Sequence, residues 1–109
     1  MFDQKFNEEY EAEVQRIAAL NIDDEHVLTL LKDKREFGLA KYKDISFQSN
    51  EENAMKVDTV QHAKEEMIDL MNYLIHERYK CKNRMSVRPL LIEKLIRKTY
   101  KLYRKIERL

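Results

Sequence analysis

One glycine, Gly38, and one proline, Pro89, are the only two of the residues that most readily break a helix in a chain of 109. A sequence so poor in both has to be built from long uninterrupted segments. Leu, Lys, Glu, Ile and Met are plentiful and 38% of the residues are charged, a mixture that favours helices over sheets. The expected class is all-α: a four-helix domain spanning residues 1–109 as a single unit. A chain of this length buries only a modest core, so assembly as a helical homo-oligomer is expected as well.

Apolar spacing places the helices. Phe6, Tyr10, Val14 and Ile17 recur at helical intervals and predict a first helix from Asp3 to about Leu20, closed by Asn21. This makes 1–22 an N-terminal helix, 23–81 a core carrying the site helices, and 82–109 a basic C-terminal helix. Asp23 suits the N-cap of a second helix with Val27, Leu28, Leu31, Leu39 and Tyr42 on its apolar side, which Gly38 either ends or interrupts. From Lys43 to Val57 the period is lost. Ser46, Gln48, Ser49, Asn50 and Asn53 compete for backbone hydrogen bonds there, so the expectation is a mostly irregular connection, with Ser49 and Glu52 able to cap a short turn. Asp58 and Gln61 form a capping pair for a third helix reaching Cys81. Lys82, Asn83 and Arg84 make the next break. Ser86 then caps a final helix with Pro89 in its first turn and Leu91, Leu95, Leu102, Ile106 and Leu109 along its apolar stripe.

Cys81 is the only cysteine, so no intrachain disulfide can form, and the N-terminus lacks the apolar stretch of a secretion signal. The expected compartment is the cytoplasm. No window holds the roughly 20 apolar residues a bilayer requires, so no membrane partner is expected. Net charge is +1, yet residues 1–76 carry 9 Lys/Arg against 17 Asp/Glu and residues 77–109 carry 12 against 3. That split points either to internal pairing or to a basic surface for polyanions.

On the third helix Glu65, Glu66 and Asp69 lie opposite Val60, Met67 and Leu74. Carboxylates three or four residues apart project from one side of a helix, so Glu66 and Asp69 can share one divalent cation. Hydrolysis of a polyphosphate needs cations to neutralise developing charge, and Mg²⁺ takes one or two protein carboxylates while water and phosphate oxygens fill the rest. Glu65 can orient water or hold a second ion, and Asn72 can hydrogen-bond a base or ribose from the same surface.

The order Arg35-Glu36-Phe37-Gly38-Leu39-Ala40-Lys41-Tyr42, Phe47-Gln48, Asn50, Asp58 and Glu65-Glu66-Met67-Ile68-Asp69-Leu70-Met71-Asn72-Tyr73-Leu74 resembles the small, often phage-encoded members of the MazG-like all-α nucleoside triphosphate pyrophosphohydrolase superfamily. The resemblance covers about residues 30–77. It implies a helical domain that binds Mg²⁺ through acids on two neighbouring helices and releases pyrophosphate and a monophosphate from a nucleotide, in dimers or tetramers. The chain departs from the fuller pattern in having no Glu-Glu-x-x-Glu run. Its nearest substitute is Asp33 with Glu36. The implied site is therefore Glu65, Glu66 and Asp69 as catalytic acids, with Glu66, Asp69, Asp33 and Glu36 as metal ligands. Arg35, Asn72, Lys98 and Lys101 are the substrate contacts.

Plainer readings stand beside these. The α-helical carboxylates suit a solvated face, and Asp33 and Glu36 suit ordinary surface acids paired with Lys32 or Lys34. Arg35 falls amid Leu28, Leu31 and Leu39, where it reaches either a buried acid or a substrate phosphate. His26, His62 and His76 read as surface histidines and Cys81 as a buried thiol. Two other function classes remain: a helical protein that sequesters a nucleotide without turnover, and a small nucleic-acid-binding or scaffolding protein using the basic C-terminal helix. A nucleic acid is the less favoured partner, because only Tyr100 and Tyr103 interleave with the basic residues.

Overall fold

The computed structural model describes residues 1–81 and 86–109. Among them every regular element is a helix: α1 (Gln4–Asn21), α2 (Glu25–Lys41), α3 (Glu51–Lys56), α4 (Thr59–Lys80) and α5 (Arg88–Ile106). The break expected at Lys82, Asn83 and Arg84 lies outside the described residues. The chain divides into two compact units, Met1–Val57 and Asp58–Leu109. Their boundary falls inside the 23–81 stretch that the sequence reading treats as one core. It also separates the charge: the first unit holds 8 Lys/Arg against 13 Asp/Glu and the second 13 against 7.

Helix boundaries follow the capping chemistry, with adjustments at the start of α2, at Gly38 and at the start of α5. Asp3 Oδ1 accepts from the Phe6 amide at 3.1 Å and starts α1, which runs through Asn21 to a C-cap at Ile22. The cap of α2 is Asp24 in place of Asp23, its Oδ1 accepting from His26 at 3.0 Å and Val27 at 3.2 Å. Gly38 neither ends nor interrupts α2, which continues to Lys41 with helical backbone bonds through Gly38 to Tyr42. α5 is capped at Val87 with no side-chain bond, so Ser86 is not its cap, while Pro89 does occupy the first turn.

The largest departure is a fifth helix. α3 forms within the stretch expected to be irregular, capped by Asn50, whose Oδ1 accepts from the Asn53 amide at 2.8 Å. Glu51 and Glu52 in its first turn complement the helix dipole. Six residues are too few to show an apolar period, which is why spacing alone misses it.

In the first unit, α1, α2 and α3 are held by a knot around residues 44–53. Ser49 is fully buried and Gln48 nearly so. The Ser49 hydroxyl donates to Ser46 O at 2.6 Å and accepts from Asn53 Nδ2 at 2.8 Å, while Asn53 also donates to Asp44 O at 2.9 Å. The extreme N-terminus joins this knot: the Asp3 amide donates to Ser49 O at 2.8 Å and Asn50 Nδ2 to Met1 O at 2.8 Å. Half-buried Phe6 and Tyr10 and the more exposed Phe47 form an aromatic cluster beside it, Tyr10 meeting Phe47 edge-on with centroids 6.2 Å apart.

The second unit is an antiparallel hairpin of α4 and α5. Ile92, Thr99 and Pro89 are buried on α5, and Ala63, Met67, Met71 and Leu74 are half-buried on α4, closing at buried Cys81. Arg78 Nε to Glu93 Oε2 at 3.0 Å and Arg88 to Glu77 at 3.7 Å fix the register of the two helices.

Candidate metal and nucleotide site

Asp58 starts α4 by accepting from the Gln61 amide at 2.9 Å, as its sequence pairing with Gln61 implies. The apolar side of the helix then faces the hairpin interior, and 100° per residue turns Glu65, Glu66 and Asp69 away from it. All three are exposed. Glu65 is engaged locally, accepting from Gln61 Nε2 at 3.3 Å and lying 3.8 Å from His62 Nδ1. Among the described residues, Glu66 and Asp69 make no ion pair or side-chain hydrogen bond. They offer hard oxygen donors one turn apart with no competing cation, a donor set that suits Mg²⁺. Among the described residues no three His, Cys, Asp or Glu side chains are grouped so as to hold an ion, and on α4 Glu66 and Asp69 are two acids without a third so grouped. A pair matches the carboxylate count Mg²⁺ takes when phosphate oxygens and water supply the rest.

The other residues expected at the site are spread over both units. Asn72 is exposed one turn beyond Asp69. The ion pairs that set the hairpin register put the Glu66–Asp69 turn level with about residues 96–105 of α5, since both helices rise equally per residue. Lys98 and Lys101 fall in that stretch, both exposed. They point differently: Lys98 borders the side of α5 carrying Leu95 and Leu102, whereas Lys101 stands opposite buried Ile92 and Thr99.

Asp33 and Glu36 are exposed on α2, in the first unit, and among the described residues neither is ion-paired with Lys32 or Lys34. Arg35 between them takes the acid alternative. Its Nε donates to both carboxylate oxygens of Glu11, at 3.2 and 3.0 Å, and its Nη2 to Oε1 at 2.8 Å. Both side chains are largely shielded, which makes this fork the strongest polar contact between α1 and α2. The Arg35 hydrogen bonds hold Glu11 below the usual carboxylate range against the opposing effect of burial, and the Glu11 carboxylate in turn raises Arg35. Burial raises the neighbouring Tyr10 phenol, with Arg35 opposing and Glu11 adding to the rise. Gln48 Nε2 donates to Arg35 O at 2.9 Å and so fastens the knot to α2. An open groove of about 310 Å³ lies beside the fork, lined by Gln15, Ala18, Leu28, Thr29, Lys32 and Arg35 among others.

Sequence reasoning misses Glu11, the partner of Arg35, because 24 residues separate them and neither sits in a shared period. Cys81 fits the buried-thiol reading, its Sγ donating to Glu77 O at 3.2 Å. No helix of the described residues is long and apolar enough to cross a membrane. Comparison of the chain with protein-family models, with curated proteins and with solved structures finds no match.

Proposed function

We propose that this chain is a Mg²⁺-dependent nucleotide pyrophosphohydrolase of the MazG-like kind, acting as a homo-oligomer. The observation that carries the reading is the Glu66–Asp69 pair on α4, exposed, one turn apart and without an ion-pair or side-chain hydrogen-bond partner among the described residues. Glu66 and Asp69 would hold the metal, which when bound neutralises phosphate charge. Glu65, oriented by Gln61, positions or deprotonates the attacking water, and Asn72 hydrogen-bonds the nucleoside. Lys98 neutralises a phosphate from α5, with Lys101 in the same stretch. Asp33 and Glu36, which the resemblance in sequence also names, lie on α2 in the first unit, and the α4 site is proposed without them.

An apolar row supports assembly: Leu91, Leu95, Leu102 and Leu109 on α5 are between 46% and 89% exposed and turned away from the side that packs on α4. A second copy packing there completes a four-helix bundle from two hairpins.

A panel of NTPs and dNTPs with Mg²⁺, followed for pyrophosphate, tests the activity. Release that is abolished in Asp69→Asn and Glu66→Gln supports the reading, and intact nucleotides with unaltered binding in both variants overturn it. Tight calorimetric binding without pyrophosphate release would make the protein a nucleotide-sequestering one. Light scattering tests the assembly: Leu95→Glu with Leu102→Glu should reduce the particle to a single chain.

A further inference from the structure

The outer side of α5 carries a run of charge of which the core uses none and the proposed nucleotide site uses only Lys101. Lys94, Arg97, Lys101, Arg104 and Arg108 follow one another at intervals of three and four residues. That spacing makes a single straight row opposite buried Ile92 and Thr99, extending from the helix into its terminal turn. All five are exposed and no acid interrupts the row. Among the described residues only Arg104 has an ion-pair partner, Glu107 at 3.0 Å, and Lys98 and Lys105 flank the row without one. Like charges one turn apart oppose helix formation, and here nearly every basic residue has such a neighbour. The other long helices do not do this: α2 interleaves Glu25, Lys32, Asp33, Lys34 and Glu36.

We infer that this row binds the phosphodiester backbone of a nucleic acid duplex, without reading its sequence. Five positive charges over about 21 Å of helix make a linear site far longer than one triphosphate. A duplex presents about 12 phosphate charges over the same length. Only one large apolar residue, Leu90, shares this side of α5, so the row lacks the apolar wedge by which an interfacial helix enters a lipid surface. Stacking side chains of a single-strand platform are also missing from the row itself, Tyr100 lying to one side. Contacts of this kind release counterions, so affinity should fall steeply with salt.

The test is fluorescence anisotropy of the full chain with a labelled 30-base-pair duplex of arbitrary sequence, at several salt concentrations. Wild type should bind at low salt with a log–log slope of about −4.5, about 0.9 for each of the five phosphates contacted. The variant Lys94→Glu/Arg97→Glu/Arg104→Glu/Arg108→Glu, checked for helicity by circular dichroism, should lose at least ~100-fold in affinity. Single Arg97→Gln and Arg108→Gln changes, too mild to unfold the hairpin, should each flatten the slope by about 0.9. Asp69→Asn, which tests the pyrophosphohydrolase reading, should bind duplex like wild type, so the two ideas fail separately. Absence of binding at low salt, binding that all these variants retain, or sedimentation with phosphatidylserine vesicles in place of duplex binding would overturn the inference.

Discussion

The two units solve the same problem by different means. The second unit is specified by apolar spacing: two long helices, a stripe on each, and ion pairs at Arg78–Glu93 and Arg88–Glu77 to set register. The first depends on side-chain-to-backbone hydrogen bonds gathered at Ser49, Asn53 and Gln48, with the Arg35–Glu11 fork joining α1 to α2. A short helical unit with little apolar volume can therefore gain definition from polar contacts, provided they are shielded from water.

Truncation should separate the two designs. Ile92→Ala removes the most buried aliphatic side chain of the second unit, at 5% exposure, and should cost about 2–4 kcal/mol in denaturant unfolding. Hydrogen exchange should place that loss in α4 and α5. Ser49→Ala deletes a donor to Ser46 O and an acceptor for Asn53, and should cost about 1–3 kcal/mol. Its exchange signature belongs in residues 44–53 and at the N-terminus. An equal spread of either loss over both units would break the contrast.

Acid sharpens it further. Glu11 has its folded value lowered below the ordinary 4.5 by Arg35, so its contribution is complete above the unfolded value and vanishes as pH falls through the folded one. Wild type should lose stability below about pH 4.5 more steeply than Glu11→Gln, with a difference at neutral pH of about 1–2 kcal/mol. Thermal melts across pH 3–7 measure this. The smallest effect is a gain: a Cβ at Gly38 meets nothing within 4 Å and the backbone there is helical. Gly38→Ala should stabilise by about 0.5–1 kcal/mol, read as a small rise in melting temperature.

Residues carrying a local rule were legible in the sequence. Asp3 and Asp58 announce helix starts, and Met67, Leu74, Ile92 and Leu95 show their period whatever they pack against. Asp24 takes the cap from Asp23 because two adjacent aspartates offer the same oxygen and only the backbone turn selects between them. Gly38 stays inside α2 because the cost of a helical glycine is smaller than what continuing the helix gains. The knot was not legible, since its partners, Met1 with Asn50 and Phe2 with Asp44, lie more than 40 positions apart and obey no period. The site divides the same way: a pair of acids on one helix follows from spacing, whereas Arg35 choosing Glu11 follows from three-dimensional packing alone.

The sole thiol, on Cys81, is 2% exposed and hydrogen-bonded to its own helix. Maleimide dyes should therefore leave the native protein unmarked, giving a silent background. A cysteine engineered at unobstructed Gly38 would then accept a single fluorophore, reporting from α2 when nucleotide or duplex is added and leaving the native residue in place.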